Sequence, residues 1–110
     1  MKMYNLNGRA NQRIQIIEEQ NSYEFRFRTF NGMLFADVAV NGVDVAKSVR
    51  CCPYTLIVPY RHMERKGNFF FSSESGEYPS YKDFGNGCKL FYMSYEELDG
   101  MRTRWEKLHG

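Results

Sequence analysis

Three cysteines and two histidines are the side chains of this sequence that could bind a metal ion. They are Cys51, Cys52, Cys88, His62 and His109. Metal sites in small proteins usually place two ligands on one turn or knuckle, with the spacing C-x-x-C or H-x-x-x-H. No two of these residues have that spacing. The sequence therefore predicts neither a metal site nor another cofactor.

A cysteine nucleophile with His62 as its base is a second kind of chemistry, because catalytic groups can meet across a fold. Most free cysteines are buried and unreactive, however. The acidic pair Glu18-Glu19 falls in a turn, and Glu96-Glu97 falls in the first turn of a predicted helix, where the helix dipole favours carboxylates. The Gly-Asn-Gly segment at 85–87 lacks the lysine of a phosphate-binding loop. We therefore predict that the protein is not an enzyme.

Two Asn-Gly pairs, at 31–32 and 41–42, predict the elements that position the other candidate residues. Asn-Gly adopts the positive φ angles of a type I′ hairpin turn at little cost. The ten-residue spacing therefore predicts a three-stranded meander with strands at about 23–30, 33–40 and 43–50.

Two-residue turns also fix which residues of the meander lie opposite each other. On one face of the first hairpin the predicted pairs are Tyr23 with Val40, Phe25 with Val38, Phe27 with Ala36, and Thr29 with Leu34. This face is apolar. The third strand extends this face through Val43, Val45, Lys47 and Val49. Lys47 is the exception, and it indicates a sheet edge or a β-bulge. Arg26 is predicted opposite Asp37 on the other face.

The second face of the meander is charged and suggests two alternative kinds of partner. It carries Arg26, Arg28, Phe30, Phe35 and Arg50, a combination found on platforms for single-stranded nucleic acid. Arginine and aromatic residues are also enriched at protein interfaces. The carboxylates of this face would repel phosphates, and they are Glu24, Asp37 and Asp44. We therefore expect a protein partner and no nucleic acid, with single-stranded nucleic-acid binding by a small β-barrel as the alternative.

The rest of the chain predicts further strands and one helix. Strands are expected at 13–17, 54–58, 68–73 and 89–93, and the Ser94-Tyr95-Glu96-Glu97 sequence matches a capping box at the start of a C-terminal helix. Nine phenylalanines and eight tyrosines in 110 residues also favour strands. The predicted fold is all-β and mostly antiparallel, a small β-barrel or β-sandwich with a meander at 23–50 and a short C-terminal helix.

Length and composition limit the organisation of the chain. One domain is expected, with a flexible arm or short edge strand at 1–12, a β domain at 13–98 and a helical tail at 99–110. The net charge of +2 creates no strong field. The odd number of cysteines favours a reducing compartment, and no apolar run has the length of a signal peptide or a membrane span. A soluble protein without a membrane partner is expected.

Exposed aromatic residues are the candidates for partner contacts. Because side chains alternate along a strand, the three successive phenylalanines at 69–71 cannot all face the core. A long loop follows them and carries two more tyrosines. The predicted contact residues are Phe69, Phe70, Phe71, Tyr78, Tyr81, Trp105, Arg26 and Arg28.

A series of short motifs between residues 13 and 98 has the order found in a known family. The motifs are Tyr23-Glu24-Phe25-Arg26-Phe27, the Asn31-Gly32 turn, the segment 37–42, Gly67-Asn68-Phe69, Tyr78-Pro79, Phe84-Gly85 and the ending KLFYMSYEEL at 89–98. With them the chain resembles the plug proteins of phage baseplates, of the contractile-tail cyanophage type. Members of that family open with a strand hairpin and close with a short aromatic strand that leads into a Glu-Leu ending.

The resemblance implies a virion structural protein, made in the host cytoplasm and placed on the axis of the tail baseplate. There it would close the channel between the tail tube and the hub and spike, in multiple copies, and connect the hub to tube-initiator proteins. The resemblance implies no catalytic residues. The helix after Leu98 is predicted to be longer than the family ending, so a contact peculiar to this chain is expected from Trp105.

Overall fold

The computed structural model describes residues 1–58, 66–74, 76–84 and 87–101, which form two antiparallel sheets. The strands are β1 (Lys2–Tyr4), β2 (Gln12–Glu18), β3 (Asn21–Phe30), β4 (Met33–Val40), β5 (Val43–Arg50), β6 (Asn68–Ser73) and β7 (Cys88–Met93). One sheet has the order β1-β7-β6 and the other β2-β3-β4-β5. The prediction of a mostly antiparallel β fold is confirmed. Of its two forms the sandwich is found, since the sheets of the described residues do not close into a barrel.

The two Asn-Gly turns form as predicted. Asn31 and Gly32 have φ of 51° and 74°, and Asn41 and Gly42 have φ of 52° and 83°. Every pair predicted between β3 and β4 is observed, from Tyr23 opposite Val40 to Phe30 opposite Met33. The turn residues therefore determine this register, and β2 extends the sheet by pairing with the other edge of β3.

The pairing of β4 with β5 departs from the predicted register. The prediction places Val45 opposite Val38, whereas the structure places Ala46 there, and Val49 lies opposite Ala36. Two extra residues of β5 are absorbed in bulges, one at Val45 and one at 47–48 opposite Asp37. Both alternatives for Lys47 hold, because β5 is an edge strand and Lys47 lies in a bulge.

The Asp37 carboxylate stabilises the second bulge. Its Oδ1 accepts a hydrogen bond of 2.7 Å from the Ser48 N–H, and Ser48 has a φ of 51°. The same atom accepts a hydrogen bond of 3.0 Å from the guanidinium of Arg28, which also donates to the Ser48 Oγ at 2.9 Å. Arg26 lies opposite Asp37 as predicted, but the ion pair is made by its neighbour Arg28.

These contacts predict an acid-sensitive contribution from Asp37. The Ser48 N–H, followed by the charge of Arg28, lowers the pKa of Asp37 below its ordinary value of 3.8. A carboxyl with a lowered pKa in the folded state stabilises it above that ordinary value, and the stabilisation is lost as the pH falls further. We expect Asp37→Asn to reduce the free energy of unfolding by about 1–2 kcal/mol near neutral pH. Urea unfolding at several pH values measures this effect. The difference in the free energy of unfolding between the variant and the native chain should shrink below about pH 4, and a difference that stays constant would contradict the prediction.

Aromatic rings form a large part of the core between the two sheets. Phe69 of β6 packs edge-on against Tyr23 and Phe25 of β3, with ring centroids 5.0 and 4.8 Å apart. Phe71 packs in the same manner against Phe27 at 5.6 Å. All five side chains are completely buried. Such ring pairs contribute beyond the area they bury, so β3 and β6 hold the sandwich together.

The N-terminal arm and the C-terminal helix form as predicted from the sequence, whereas the segment at 54–58 does not. Residues 1–12 include the edge strand β1, the second of the two alternatives for this arm. The capping box is present, with Ser94 and Glu97 each accepting a hydrogen bond from the backbone N–H of the other, and residues 95–101 are helical. The strand predicted at 54–58 is wrong, since this segment has irregular backbone. The division into three segments stays a prediction.

Candidate functional site

The three successive phenylalanines of β6 are divided between the two faces of their sheet. Phe69 and Phe71 are fully buried between the sheets, so their prediction as partner contacts is wrong. The cause is the pleat of the strand, which sends alternate side chains inward. Phe70 points outward and stays partly exposed. Of the three, it alone can meet a partner in this fold.

Phe70 belongs to an exposed apolar surface on the outside of the three-stranded sheet. Its ring stacks on Phe91 of β7, with centroids 5.4 Å apart and planes 13° from parallel. Met3 of β1 lies opposite Phe91 on the same face, and Tyr54 packs on the other side of Phe70 at 6.3 Å. Met3 is 47% exposed and Tyr54 is 64% exposed. We call these four residues the aromatic face.

Tyr54 is positioned by backbone bonds to the outer edge of β6. Its N–H donates to the Phe71 carbonyl at 2.8 Å, and the Ile57 N–H donates to the Phe69 carbonyl at 2.9 Å. The Asn68 amide completes the attachment, since it donates to the Val58 carbonyl at 2.8 Å and accepts from the Val58 N–H at 3.1 Å. The segment 53–58 therefore covers the edge of β6 and holds Tyr54 beside Phe70.

The two predicted contact residues of the long loop have different environments. Tyr78 is 54% exposed, and the Arg50 guanidinium lies 4.2 Å from the centre of its ring. This cation–π contact connects the loop to the end of β5. Tyr81 begins a short 3-10 turn at Tyr81–Asp83 and packs partly against the core. Tyr78 is the more accessible of the two.

The charged face of the meander brings together part of the proposed nucleic-acid platform. Arg28, Phe30 and Phe35 line one open cleft of about 370 Å³, and Phe30 is 67% exposed. The guanidinium of Arg28 is already bonded to Asp37 and Ser48, however. Arg26 lines a separate concavity beside it. Trp105, the last predicted contact residue, lies outside the described residues.

Two of the three cysteines, Cys51 and Cys88, have the properties of core residues, whereas Cys52 is partly exposed. Cys51 and Cys88 are buried, and burial raises the pKa of Cys51 to about 12 and that of Cys88 to about 11. Both thiols therefore stay protonated near neutral pH, which disfavours a nucleophilic thiolate. His62, the base considered for such a site, lies outside the described residues. The part of the chain that the structure describes contains no group of three or more potential metal ligands.

Sequence reasoning missed three residues of the aromatic face, namely Met3, Tyr54 and Phe91. Alternation along the last strand was the available signal for Phe91, since its neighbours Leu90 and Tyr92 are both buried. Met3 and Tyr54 carry no such signal, because their places depend on backbone pairing with distant strands. No helix within the described ranges is both long and apolar enough to cross a membrane.

The fold and its surface define a small antiparallel β-sandwich with an aromatic outer face. A family model described as cyanophage baseplate Pam3 plug gp18 matches residues 1–96. The chain belongs to this family, in agreement with the resemblance of its sequence motifs, and the match includes the N-terminal arm. It is therefore a structural protein of the phage tail baseplate. A search among curated proteins gives no match.

Proposed function

We propose that this protein is the plug on the axis of a contractile-tail baseplate. It closes the channel between the tail tube and the hub and spike, and it connects the hub to the tube-initiator proteins. Membership of a family described as a baseplate plug supports this position. The structural observation that carries the proposal is the aromatic face on a tightly packed sandwich.

The aromatic face has the properties of a contact with other proteins. Large aromatic side chains are the commonest anchors of interfaces, because they bury much area and lose little rotamer freedom. Phe70 and Phe91 are held in place by mutual stacking, and Tyr54 by its backbone bond to β6. A surface that is ordered before binding loses less entropy when a partner covers it. This suits a permanent position in an assembly.

Several copies around the tail axis are part of the proposal. Protein assemblies close by repeating one interface around a symmetry axis, and such an interface joins two different surfaces of neighbouring copies. The aromatic face is one such surface, and the loop with Tyr78 is a candidate for another, since it projects an exposed tyrosine held by Arg50.

A capture experiment tests the role of the aromatic face. The chain is co-expressed with the hub, spike and tube-initiator proteins of the same phage, and the proteins retained with it are identified. We expect hub or tube-initiator protein to be retained by the native chain and lost with the double variant Tyr54→Ser and Phe70→Asp. The matched control is Phe30→Asp, which replaces an exposed phenylalanine of the other sheet.

Two results would contradict the proposal. If Phe30→Asp abolishes capture and the double variant keeps it, the partner binds the other sheet. If cryo-electron microscopy of assembled baseplates shows no density for this chain on the axis, the plug position is wrong. Binding to a single-stranded oligonucleotide that weakens steeply with salt would favour the nucleic-acid alternative instead.

A further inference from the structure

The strand β2 has an open edge on the four-stranded sheet. It lies at the end of the order β2-β3-β4-β5, and no other strand of the described residues pairs with its outer side. Its seven residues contain no proline, and its pairing with β3 has no bulge. Alternate residues of an edge strand direct backbone N–H and C=O groups outward, where an extended chain can pair with them. The opposite edge, β5, is interrupted by bulges.

Two arginines beside this edge form no salt bridge within the described residues. Arg13 of β2 lies directly opposite Arg26 of β3, and like charges in this position repel. Asp37 lies on the other side of Arg26, but its carboxylate is bonded to Arg28 and Ser48.

The surroundings of the two arginines distinguish between possible ligands. They line a concavity of about 260 Å³ together with Lys47 and three carboxylates, which are Glu24, Asp37 and Asp44. Asp37 is paired with Arg28, and Asp44 lies 3.9 Å from Lys47. The charged residues of the concavity outside these two pairs are Arg13, Arg26 and Glu24, and their net charge is +1. A nucleic-acid strand would bring several phosphates close to these carboxylates, whereas one carboxylate needs only the two arginines.

We propose that the open edge of β2 binds an extended acidic segment of a partner protein. The segment adds a fifth strand to the sheet and places a carboxylate beside Arg13 and Arg26. A residue opposite Arg13 in such a strand shares its face of the sheet, so the carboxylate and the guanidinium meet directly.

A second copy of the chain fits this edge less well. If β2 paired with β2 of another copy, residues of the outer face would lie opposite each other, and those residues are Arg13, Gln15 and Ile17. None of them is acidic. Self-pairing would therefore leave the arginines of both copies without a carboxylate from the other copy. The proposal concerns the sheet opposite the aromatic face, so it does not depend on the proposed plug function.

Synthetic peptides as long as β2 test the proposal with the full chain. One alternates valine and glutamate, a second has lysine for glutamate, and a third has proline in its centre. We expect saturable binding of the glutamate peptide, with slower amide hydrogen exchange along β2, and binding weaker by about tenfold or more for the other two. Arg13→Glu should lose the glutamate peptide and gain the lysine peptide. Arg9→Glu, which changes an exposed arginine outside the concavity, should bind as the native chain does.

The free protein gives an independent measurement. Because Arg13→Glu replaces a like-charge pair by an opposite-charge pair, we expect it to raise the melting temperature by about 2 °C while it removes peptide binding. Equal binding of the glutamate and lysine peptides would overturn the proposal. So would protection of β2 that depends only on protein concentration, which indicates a second copy, or displacement of the peptide by a single-stranded oligonucleotide.

Discussion

Replacing Phe69 by alanine should lower the free energy of unfolding by about 3–5 kcal/mol. The ring is completely buried, and it contacts the rings of Tyr23, Phe25 and Tyr92 at centroid distances of 4.8 to 5.0 Å. The contacts with Tyr23 and Phe25 are edge-on. Its removal leaves a cavity between β3 and β6, where the two sheets meet. A domain of this size has a total stability of about 5–15 kcal/mol, so the variant should lose a large fraction of its stability.

The adjacent residue provides the matched comparison. Phe70→Ala removes the same atoms from the outer face of the same strand, and we expect a loss of about 1 kcal/mol, mainly from its stacking on Phe91. Urea unfolding followed by circular dichroism measures both. If Phe69→Ala does not fold, Phe69→Leu keeps the comparison, with an expected loss of about 1–2 kcal/mol. Equal losses for Phe69→Ala and Phe70→Ala would contradict the division of these residues between core and surface.

The contrast between these neighbours shows how far the sequence determines the fold. Alternation along a strand predicts that the three rings cannot face one way, but it leaves open which of them is exposed. The Asn-Gly turns are more informative, because a two-residue turn fixes every pair between its strands. The register from Tyr23 to Val40 follows from local chemistry alone, and it is observed in full.

Other parts of the structure depend on contacts that no local pattern encodes. The second bulge of β5, at 47–48, is stabilised by the bonds of Asp37 to Arg28 and the Ser48 N–H. Opposition across the strands predicts Arg26 as the partner of Asp37, whereas Arg28 forms the ion pair. Tyr54 was expected in a short strand, and its actual position depends on bonds to β6. Alternation along β6 and β7 could indicate Phe70 and Phe91 as members of the aromatic face, but the places of Met3 and Tyr54 depend on pairing with distant strands.

Replacing Asn68 by alanine should cost about 2–4 kcal/mol, because it leaves the buried N–H and C=O groups of Val58 without partners. Asn68 is 2% exposed, and its amide makes both of these hydrogen bonds. The loss of these bonds should also affect partner binding, because Val58 belongs to the segment 53–58, which carries Tyr54. We expect faster hydrogen exchange at the amides of Tyr54 and Ile57, which donate to β6, together with weaker capture of baseplate partners.

The control for this variant is Ser72→Ala on the same strand. Its hydroxyl makes one hydrogen bond of 3.4 Å to the Lys89 carbonyl, so we expect a loss below about 0.5 kcal/mol and unchanged exchange at Tyr54. Asn68→Ala acts on partner binding only through the position of Tyr54, whereas Tyr54→Ser removes the contact itself. Capture should therefore weaken in both variants, but stability should fall only in Asn68→Ala. If Asn68→Ala lost stability and kept full capture, the attachment of segment 53–58 would serve the fold alone, and Tyr54 would not belong to the binding surface.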